Sequence, residues 1–353
     1  MTPAKTAIFI CFFIYCQTLV AAGPDRVERV VYLMGTRVTL TVEADQRALA
    51  VRQLERMVQS LETTEAALST WRAESALSVV NRHPIGQPVG LPSAVCSLWS
   101  GLTTWHRVTA GAFDPTVGAL SEVWGLRSGG RRPTTDELES ALMLTGLKHF
   151  EFDPPTCRLT RLADATLDAG AFGKGEALRR LQSEFREHAP WRVDIGGQIA
   201  VSDESPKRRW RVPVAHPSRR AESVVELWLD TGSLATSSVS ERSFEVEGER
   251  IGHIVNPRTG QVVFRTGSVT VWHDDPFAAD ILSTALFVMG IGEGFRYAET
   301  HGLAVLFLSP SPTGEHVPPD ARPSPAFVEK FWPSGGGVAG SATALADVPQ
   351  VVP

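Results

Sequence analysis

Residues 274–290 read DDPFAADILSTALFVMG and predict a buried helix over residues 276–289. Two aspartates supply a capping position, a proline follows in the first turn, and a glycine comes directly after the last apolar residue. The interior of the segment is apolar on nearly every side, which is typical of a helix enclosed by other elements. The rest of the chain is therefore expected to fold around this helix.

Three polar residues interrupt the helix, namely Asp280, Ser283 and Thr284, and their spacing places them on one face. A buried carboxylate is costly without a partner, and the pattern leaves two kinds of partner open. One is a basic side chain or backbone amides, with Thr284 hydrogen-bonded back to the carbonyl of Asp280. The other is a hard divalent cation such as Mg²⁺, which accepts aligned Asp and Thr oxygens and completes its shell with phosphate oxygens.

The pattern of apolar residues changes along the chain. Helical spacing predicts helices over residues 46–67, 93–109, 115–123, 135–144 and 175–188. Short β-branched or aromatic runs predict strands over residues 29–33, 37–43, 191–195, 210–214, 224–229, 244–246, 269–272 and 304–308. Because helices and strands do not alternate regularly, the expected fold class is α+β, with a single domain over residues 23–333.

The two ends of the chain differ from this body. Residues 1–22 carry one charge, Lys5, followed by an apolar stretch and two small residues. This pattern predicts a cleaved signal peptide and an exported, periplasmic protein, with a retained N-terminal membrane anchor as the alternative. Residues 334–353 are rich in Gly, Ala, Pro and Val, which predicts a disordered tail.

The overall composition excludes several classes of protein. Hydrophobic residues make up 43% and charged residues 21%, as in ordinary globular chains. With 34 basic and 39 acidic residues and no long basic run, nucleic acid is not an expected partner. Beyond residue 22 only Cys96 and Cys157 remain, which can pair but need not. The sequence has no cysteine cluster and no HExxH or His-x-His pair, which argues against a zinc site.

A second candidate site is the sequence DAGAFGKGE at residues 168–176. Three glycines and Lys174 precede the predicted helix, and such a turn lets backbone amides and one ammonium group approach phosphate oxygens. The spacing is not that of a P-loop, and no GxGxxG fingerprint occurs in the chain. A tight strand-to-helix turn with a solvated lysine is the alternative.

Four shorter motifs are less specific. Asp114 is expected to be the N-cap of the helix that follows it, and the sequence VDIGG at residues 193–197 ends a strand in paired glycines. Ser237 lacks the G-x-S-x-G setting of a hydrolase nucleophile. His253 precedes an evident turn at residues 256–260 and is either a general base or a structural histidine.

Taken in chain order, these segments resemble the ApbE family of FAD:protein FMN transferases, from about residue 30 to residue 308. Each motif is weak alone, but their common order is specific. The motifs are MGT (34–36), LSTW (68–71) with Ser75 and Asn81, GAFDPTVG (111–118), DAGAFGKG (168–175), DIGG (194–197), ATS (235–237), HIVNPRTG (253–260) and ADILSTAL (279–286).

The resemblance implies a reaction in which the FMN half of FAD is moved onto a Thr or Ser hydroxyl of an exported redox protein. AMP is released and Mg²⁺ is required. FAD and an exported or membrane-associated acceptor protein are the implied partners. Diphosphate cleavage asks mainly for charge neutralisation and positioning, which a cation, a lysine and backbone amides can supply. Hydrolysis of FAD to FMN and AMP, or flavin binding without turnover, are the alternatives.

The resemblance also implies roles for individual residues. Mg²⁺ would be held by the side chains of Asp280 and Thr284 and by the backbone carbonyl of Ala171. His253 would accept the proton of the attacking hydroxyl, with Asp280 and Lys174 as the other catalytic groups. The residues expected to line the FAD site are Met34, Trp71, Ala112, Phe113, Asp114, Asp168, Lys174 and Ile254, with Trp71 or Phe113 placed against an aromatic ring.

The chain departs from the family pattern at four positions. Ser238 replaces a glycine, Asn256 replaces an aspartate, and the aromatic residue expected near Val239 is missing. Ser283 stands where some relatives carry a second acid. These departures concern the substrate-facing loop, the base and a second metal, while the diphosphate end of the expected site is intact.

Overall fold

The computed structural model of the 353-residue chain describes residues 25–202, 209–241, 243–264, 267–310 and 319–332. The expected signal peptide (1–22) and disordered tail (334–353) lie outside the described residues. The helices are α1 (Arg47–Leu68), α2 (Ala76–Arg82), α3 (Ser93–Val108), α4 (Gly118–Val123), α5 (Thr135–Met143), α6 (Gly173–Glu184), α7 (Pro276–Thr300) and α8 (Pro325–Phe331), with a 3₁₀ turn at Leu147–His149.

The described residues also form strands of three to nine residues. They are β1 (Asp25–Leu33), β2 (Thr36–Ala44), β3 (Pro88–Gly90), β4 (Phe150–Asp153), β5 (Arg158–Arg161), β6 (Trp191–Ile195), β7 (Gln198–Val201), β8 (Trp210–Ala215), β9 (Ser223–Leu229), β10 (Gly232–Ser238), β11 (Ser243–Val246), β12 (Glu249–Gly252), β13 (Ser268–His273), β14 (Ala304–Ser309) and β15 (Asp320–Pro323). The fold class is α+β, as the sequence predicts.

The centre of the molecule is an eight-stranded sheet in the order β1-β2-β6-β7-β10-β13-β14-β15, in which every neighbouring pair is antiparallel. Both faces of its central strands are covered. In β14, Val305 and Phe307 face α7, whereas Leu306 and Leu308 face the β8–β9 hairpin and α8. Because strand side chains alternate between faces, β14 (AVLFLS) is apolar at every position but the last.

Helix α7 lies between the sheet and a helical layer. Leu282 and Leu286 pack with β13 and β14, while Phe277, Ile281 and Ala285 pack with α3 and the segments around residues 112 and 172. The two sets lie on different sides of one helix. This double packing explains why the segment is apolar on nearly every side.

The predicted end of α7 coincides with an irregularity. Helical structure continues to Thr300, but Gly290 has φ 72° and ψ 173°, which interrupts the helix one residue after the predicted last residue. The sequence-based prediction therefore missed the second part of the helix, residues 291–300. In the described part of the chain, α7 is the one helix long and apolar enough to cross a membrane, and 67% of that stretch is buried within the molecule.

Two smaller units complete the helical layer. The sheet β3-β5-β4 packs with α2 and α3, and a disulfide joins Cys96 of α3 to Cys157 in the β4–β5 turn, with 5.7 Å between their Cα atoms. The sequence allowed this disulfide without requiring it. Helices α4 and α5 pack with the β11–β12 hairpin in a separate apolar cluster.

The predicted start of the helix over residues 115–123 is wrong, and so is the assignment of Asp114 as its N-cap. The Asp114 Oδ1 atom accepts hydrogen bonds from the backbone amide and the hydroxyl of Thr116, at 2.8 and 2.6 Å. These bonds close a tight turn, and Val117 then forms a parallel bridge with Thr166. Helix α4 consequently begins only at Gly118.

The helix predicted over residues 175–188 is displaced at both ends. It begins at Gly173, so that Lys174 lies in its first turn rather than in a preceding loop. It ends at Glu184 because the Phe185 carbonyl accepts the indole N–H of Trp191, at 3.3 Å, and Phe185 packs into the core beneath the sheet.

Candidate active site

Two adjoining cavities lie at the N-terminus of α6, the smaller one against α7 and the larger one between the β1–β2 turn and the end of α1. We call the larger one, of about 780 Å³, the outer cleft, and the smaller one, of about 100 Å³, the inner cavity. They share Asp168, Lys174, Glu241 and His253 in their walls, so they form one continuous space. The larger volume is within the range of small-molecule sites in proteins.

Every site residue predicted from the sequence lines one of these cavities. Met34 and Trp71 line the outer cleft, and Asp168, Lys174 and His253 line both. The predicted residues that line the inner cavity alone are Ala112, Phe113, Asp114, Ala171, Ile254, Asp280 and Thr284. The fold thus brings together residues separated by as many as 250 positions, although the role of each stays a prediction.

The Asp280 carboxylate meets the N-terminus of α6. Its Oδ2 atom accepts a hydrogen bond from the Gly175 amide at 2.8 Å, and the residue is 3% exposed. The two helices approach so closely that a Cβ on Gly175 would lie 2.6 Å from the Pro276 carbonyl oxygen and 2.7 Å from the Asp280 Cβ. Glycine at position 175 is therefore required by the helix crossing that positions the carboxylate.

Electrostatics at Asp280 oppose ionisation in the absence of a cation. Burial raises the pKa of the Asp280 carboxyl above its usual value, and the charge of Glu241 raises it further. The Lys174 charge and the Gly175 amide act in the opposite direction without reversing the shift. A cation in the inner cavity would favour the ionised carboxylate.

The hydroxyl groups beside Asp280 form a connected row. Ser283 Oγ donates to the Asp280 carbonyl at 2.9 Å, so the bond that one of the two alternatives assigned to Thr284 is made by Ser283. Ser237 of β10 lies 2.9 Å from Ser283 Oγ and 3.4 Å from Thr284 Oγ1. Thr284 therefore lies at the inner cavity and near the sheet, whereas Ser283 Oγ bonds both to its own helix and to Ser237 of the sheet.

The donor set around the inner cavity fits a small hard cation better than a softer metal. No group of three or more His, Cys, Asp or Glu side chains suited to a metal occurs among the residues that the structure describes. The groups that line it include the Asp280 carboxylate, the Thr284 hydroxyl and the backbone near Ala171, alongside the carboxylates of Asp114, Asp168 and Glu241 and the ring of His253. Mg²⁺ is commonly bound by one or two carboxylates, with water and substrate phosphate completing the octahedron, and this set suits it.

The turn that contains Phe113 and Asp114 forms one wall of the inner cavity. Burial raises the pKa of the Asp114 carboxyl, against the opposing effects of its Thr116 hydrogen bond and of His106, whose Nδ1 lies 3.4 Å from Asp114 Oδ2. Phe113 is buried edge-on against Phe172, with ring centres 6.3 Å apart. Asp114 therefore organises the turn, and the Phe113 ring belongs to the core.

Trp71 is the aromatic side chain that the outer cleft presents to solvent. It is 66% exposed, in contrast to Phe113 at 1%. Of the two residues expected to contact an aromatic ring, Trp71 has the accessible surface. The guanidinium of Arg127 lies 5.1 Å from its ring centre.

Met34 reaches the outer cleft from the tip of the β1–β2 hairpin. Met34 and Gly35 both have positive φ, of 54° and 69°, so this two-residue turn places a non-glycine residue in the left-handed region. The Met34 amide donates to Glu65 Oε1 of α1 at 2.6 Å, which helps to hold the turn in this strained conformation.

Each carboxylate in the wall of the outer cleft is paired with an arginine. The pairs are Asp168 with Arg127 at 2.6 Å, Glu65 with Arg72 at 3.6 Å, and Glu241 with Arg220 at 3.9 Å. In each pair the acid is the less exposed partner. Sequence reasoning missed these arginines and Glu241, because isolated charges in loops carry no local signal of what they will meet.

The loop carrying His253 and Ile254 is fixed to the helical layer through Arg258. Its guanidinium donates to the Ala110 carbonyl at 3.2 Å and to Glu293 at 2.8 Å. Asn256 Oδ1 accepts the Arg258 amide at 2.9 Å, which is a turn bond that an aspartate could also make. The departure at position 256 therefore leaves the turn intact.

The inner cavity therefore combines a buried carboxylate, a helix N-terminus and a lysine, and it adjoins a cleft large enough for a small molecule. The ApbE family model matches residues 34–307, and the chain belongs to the ApbE family. The family and the fold class predicted from the sequence are confirmed.

Relatives and solved structures agree with this membership. The FAD:protein FMN transferase of Vibrio cholerae is 30% identical over 313 residues, which cover 82% of this chain and 90% of the relative. The ApbE protein of Thermotoga maritima is 29% identical with a TM-score of 0.79, covering 87% of this chain and 99% of that one. The apo form of the flavinyl transferase ApbE from Pseudomonas stutzeri is 25% identical with a TM-score of 0.77, covering 90% and 99%.

Proposed function

We propose that the chain is an FAD:protein FMN transferase that moves FMN from FAD onto a Thr or Ser hydroxyl of an exported redox protein and releases AMP. Two of the relatives named above, from Vibrio cholerae and Pseudomonas stutzeri, are named as flavin transferases. The observation that carries the proposal is the convergence of Asp280, Lys174 and His253 on one inner cavity that opens into a cleft of about 780 Å³.

The chemistry needs one P–O bond to form and one to break. The acceptor hydroxyl oxygen attacks the phosphorus of the FMN half, the bond to the AMP phosphate breaks, and AMP leaves with the electron pair. His253 lines the cavity from the loop side and is the residue proposed to take the hydroxyl proton. Lys174, in the first turn of α6, is proposed to bind diphosphate oxygens together with the positive end of that helix.

Mg²⁺ is proposed as the cofactor, held by Asp280, Thr284 and the carbonyl of Ala171, where it would neutralise diphosphate charge during transfer. The support is the set of oxygen groups that Asp280, Thr284 and Ala171 bring to the inner cavity, together with the pKa of Asp280, which burial raises and which a cation would lower. Position 283 is a serine, so Asp280 is the carboxylate that α7 brings to the proposed site. The Ser283 hydroxyl donates to its own helix.

Export to the periplasm is part of the proposal. The support is the apolar segment within residues 1–22 and the Cys96–Cys157 disulfide, since disulfides persist mainly in oxidising compartments.

The test is covalent flavin on an acceptor protein. The mature chain is incubated with FAD, Mg²⁺ and envelope proteins of its source organism, and denaturing gels are scanned for flavin fluorescence before peptide mass spectrometry. We expect a flavin-sized mass on a Thr or Ser and stoichiometric AMP, both absent with Asp280→Ala. Free FMN and AMP without an adduct would identify a hydrolase, and bound FAD without AMP would identify a binding protein; either result would contradict transfer.

A further inference from the structure

Arg127 connects three parts of the outer cleft at its mouth. Its guanidinium donates to Asp168 Oδ2 at 2.6 Å, to the Thr70 hydroxyl at 2.5 Å and to the Thr70 carbonyl at 3.2 Å. The same group lies over the Trp71 ring, 5.1 Å from its centre. Arg127 belongs to none of the motifs that identify the family; it lies in the loop after α4.

Trp71 has little else to fix its ring. The residue is 66% exposed, and its amide donates a 3.3 Å hydrogen bond to Ser69 Oγ, which leaves the indole unconstrained. A guanidinium stacked on an exposed indole contributes about 0.5–1 kcal/mol, which is enough to favour one ring orientation severalfold. Most of the ring remains accessible to a flat ligand ring entering the cleft.

Asp168 is fixed by the same arginine. One carboxylate oxygen accepts the Gly170 amide at 2.7 Å, and the other accepts Arg127. A guanidinium is a planar fork that can donate within its plane and stack with its face at the same time, which an ammonium group cannot do. The identity of residue 127 as arginine, and not only its charge, therefore sets the relative positions of Trp71 and Asp168.

We propose that Arg127 is a positioning residue for the flavin ring: it holds the Trp71 indole and the Asp168 carboxylate in one arrangement that receives the ring end of FAD. The proposal rests on the proposed function, because it takes FAD as the ligand. It concerns the ring end alone, since Trp71 lines only the outer cleft and Asp280 lines only the inner cavity, with Lys174 in the walls of both.

The test separates the ring from the diphosphate. Arg127→Met and Arg127→Lys are titrated with FAD and, separately, with ADP, which has the diphosphate but no flavin. We expect Arg127→Met to weaken FAD binding about tenfold, equivalent to about 1.4 kcal/mol, and to change the visible circular dichroism of the bound flavin, with ADP affinity within about twofold of wild type. Arg127→Lys keeps the charge and is expected to lose the same flavin signal.

Steady-state kinetics give a second readout. A positioning role predicts that KM for FAD rises about tenfold in Arg127→Met while kcat stays within about threefold. Arg132→Met is the matched control: Arg132 follows five residues later, pairs with Glu247 at 3.4 Å, and lies outside both cavities. We expect it to bind FAD as the wild type does.

Three results would overturn the proposal. These are an unchanged FAD affinity and flavin signal in Arg127→Met, an equal loss of FAD and ADP binding, or the same loss in Arg132→Met. A wild-type protein that fails to bind FAD would instead contradict the proposed function, so the two failures are distinguishable. If Arg127→Met does not fold, Arg127→Lys carries the same readouts.

Discussion

Asp280 must serve two opposing requirements with one buried carboxyl group. A cation site needs the carboxylate charged, whereas burial between α6 and α7 favours the neutral acid and raises the pKa. The Gly175 amide compensates only in part. Without a bound cation, the Asp280 carboxyl therefore destabilises the folded protein most at neutral and alkaline pH.

Asp280→Asn is expected to stabilise the cation-free protein. The folded state raises the pKa of Asp280. The stability that the neutral carboxyl contributes to the folded protein is therefore fully present below the pKa of the unfolded chain, and it is lost as pH rises through the pKa of the folded state. Asparagine keeps an oxygen for the Gly175 amide and carries no charge. Denaturant unfolding at about pH 8 should show a gain on the order of 1 kcal/mol that shrinks towards about pH 4.

The same variant tests the metal. Adding MgCl₂ should raise the melting temperature of the wild type, because binding to the folded state stabilises it, and should leave Asp280→Asn unchanged. Glu299→Gln removes an exposed carboxylate from the same helix and should respond as the wild type does. An equal Mg²⁺ response in all three proteins would contradict the metal assignment.

His253→Gln is expected to lower the rate of FMN transfer at saturating FAD by about 10²- to 10⁴-fold, because the hydroxyl proton loses its acceptor. FAD affinity should stay within about threefold, since Lys174 and Trp71 are retained. Rapid-quench measurement of AMP release gives the rate. His301→Gln, at an exposed histidine beyond α7, is the control, and a wild-type rate in His253→Gln would remove His253 from the mechanism.

At the scale of elements, the crossing of α6 and α7 is what creates the site. Both helices begin near the crossing: the first turn of α6 supplies Lys174 and the Gly175 amide, and the second turn of α7 supplies Asp280. The backbones touch at a residue without a side chain, so the geometry of the carboxylate depends on that close approach.

Gly175→Ala is expected to destabilise the fold by about 1–3 kcal/mol and to separate Asp280 from its amide partner. The added methyl would meet the backbone oxygen of Pro276 at 2.6 Å, and backbone cannot move aside as a flexible side chain can. Denaturant unfolding measures the loss. Gly292→Ala is the contrasting control, because a Cβ there meets nothing within 4 Å; unfolding midpoints that fall equally in both variants would contradict this account.

The sequence predicted the elements whose pattern is local. The bounds of α1 and α3 differ from prediction by a residue or so, because a long amphipathic stripe is visible without the rest of the chain. Strands of three or four residues such as β3 and β4 were missed, since their partners and the disulfide hold them. Motif order identified the cavity residues, but Arg127 and Glu241 reach the outer cleft only through the tertiary fold.

At the scale of the whole molecule, several apolar clusters are arranged around one sheet, and the helical layer carries the covalent link. The Cys96–Cys157 disulfide closes a loop with a sequence separation of 61. It joins α3 to the β4–β5 turn, in the layer that also contains the Phe113 turn and packs against α7.

Cys96→Ser combined with Cys157→Ser is expected to lower the free energy of unfolding by about 4 kcal/mol, the chain-entropy value for a loop of that length. Guanidinium unfolding of the two proteins gives the difference. Dithiothreitol should shift the wild type towards the variant and leave the variant unchanged. Identical midpoints for oxidised wild type and variant would show that the disulfide adds nothing to stability.

The inner cavity, at about 100 Å³, has room for several water molecules. An acceptor side chain that enters must expel this solvent, and any molecule left behind competes with it as a nucleophile. We therefore expect the ratio of flavin transfer to FAD hydrolysis to depend on how completely the bound acceptor protein excludes water from the inner cavity. Poorly fitting acceptors should be modified slowly and with excess free FMN.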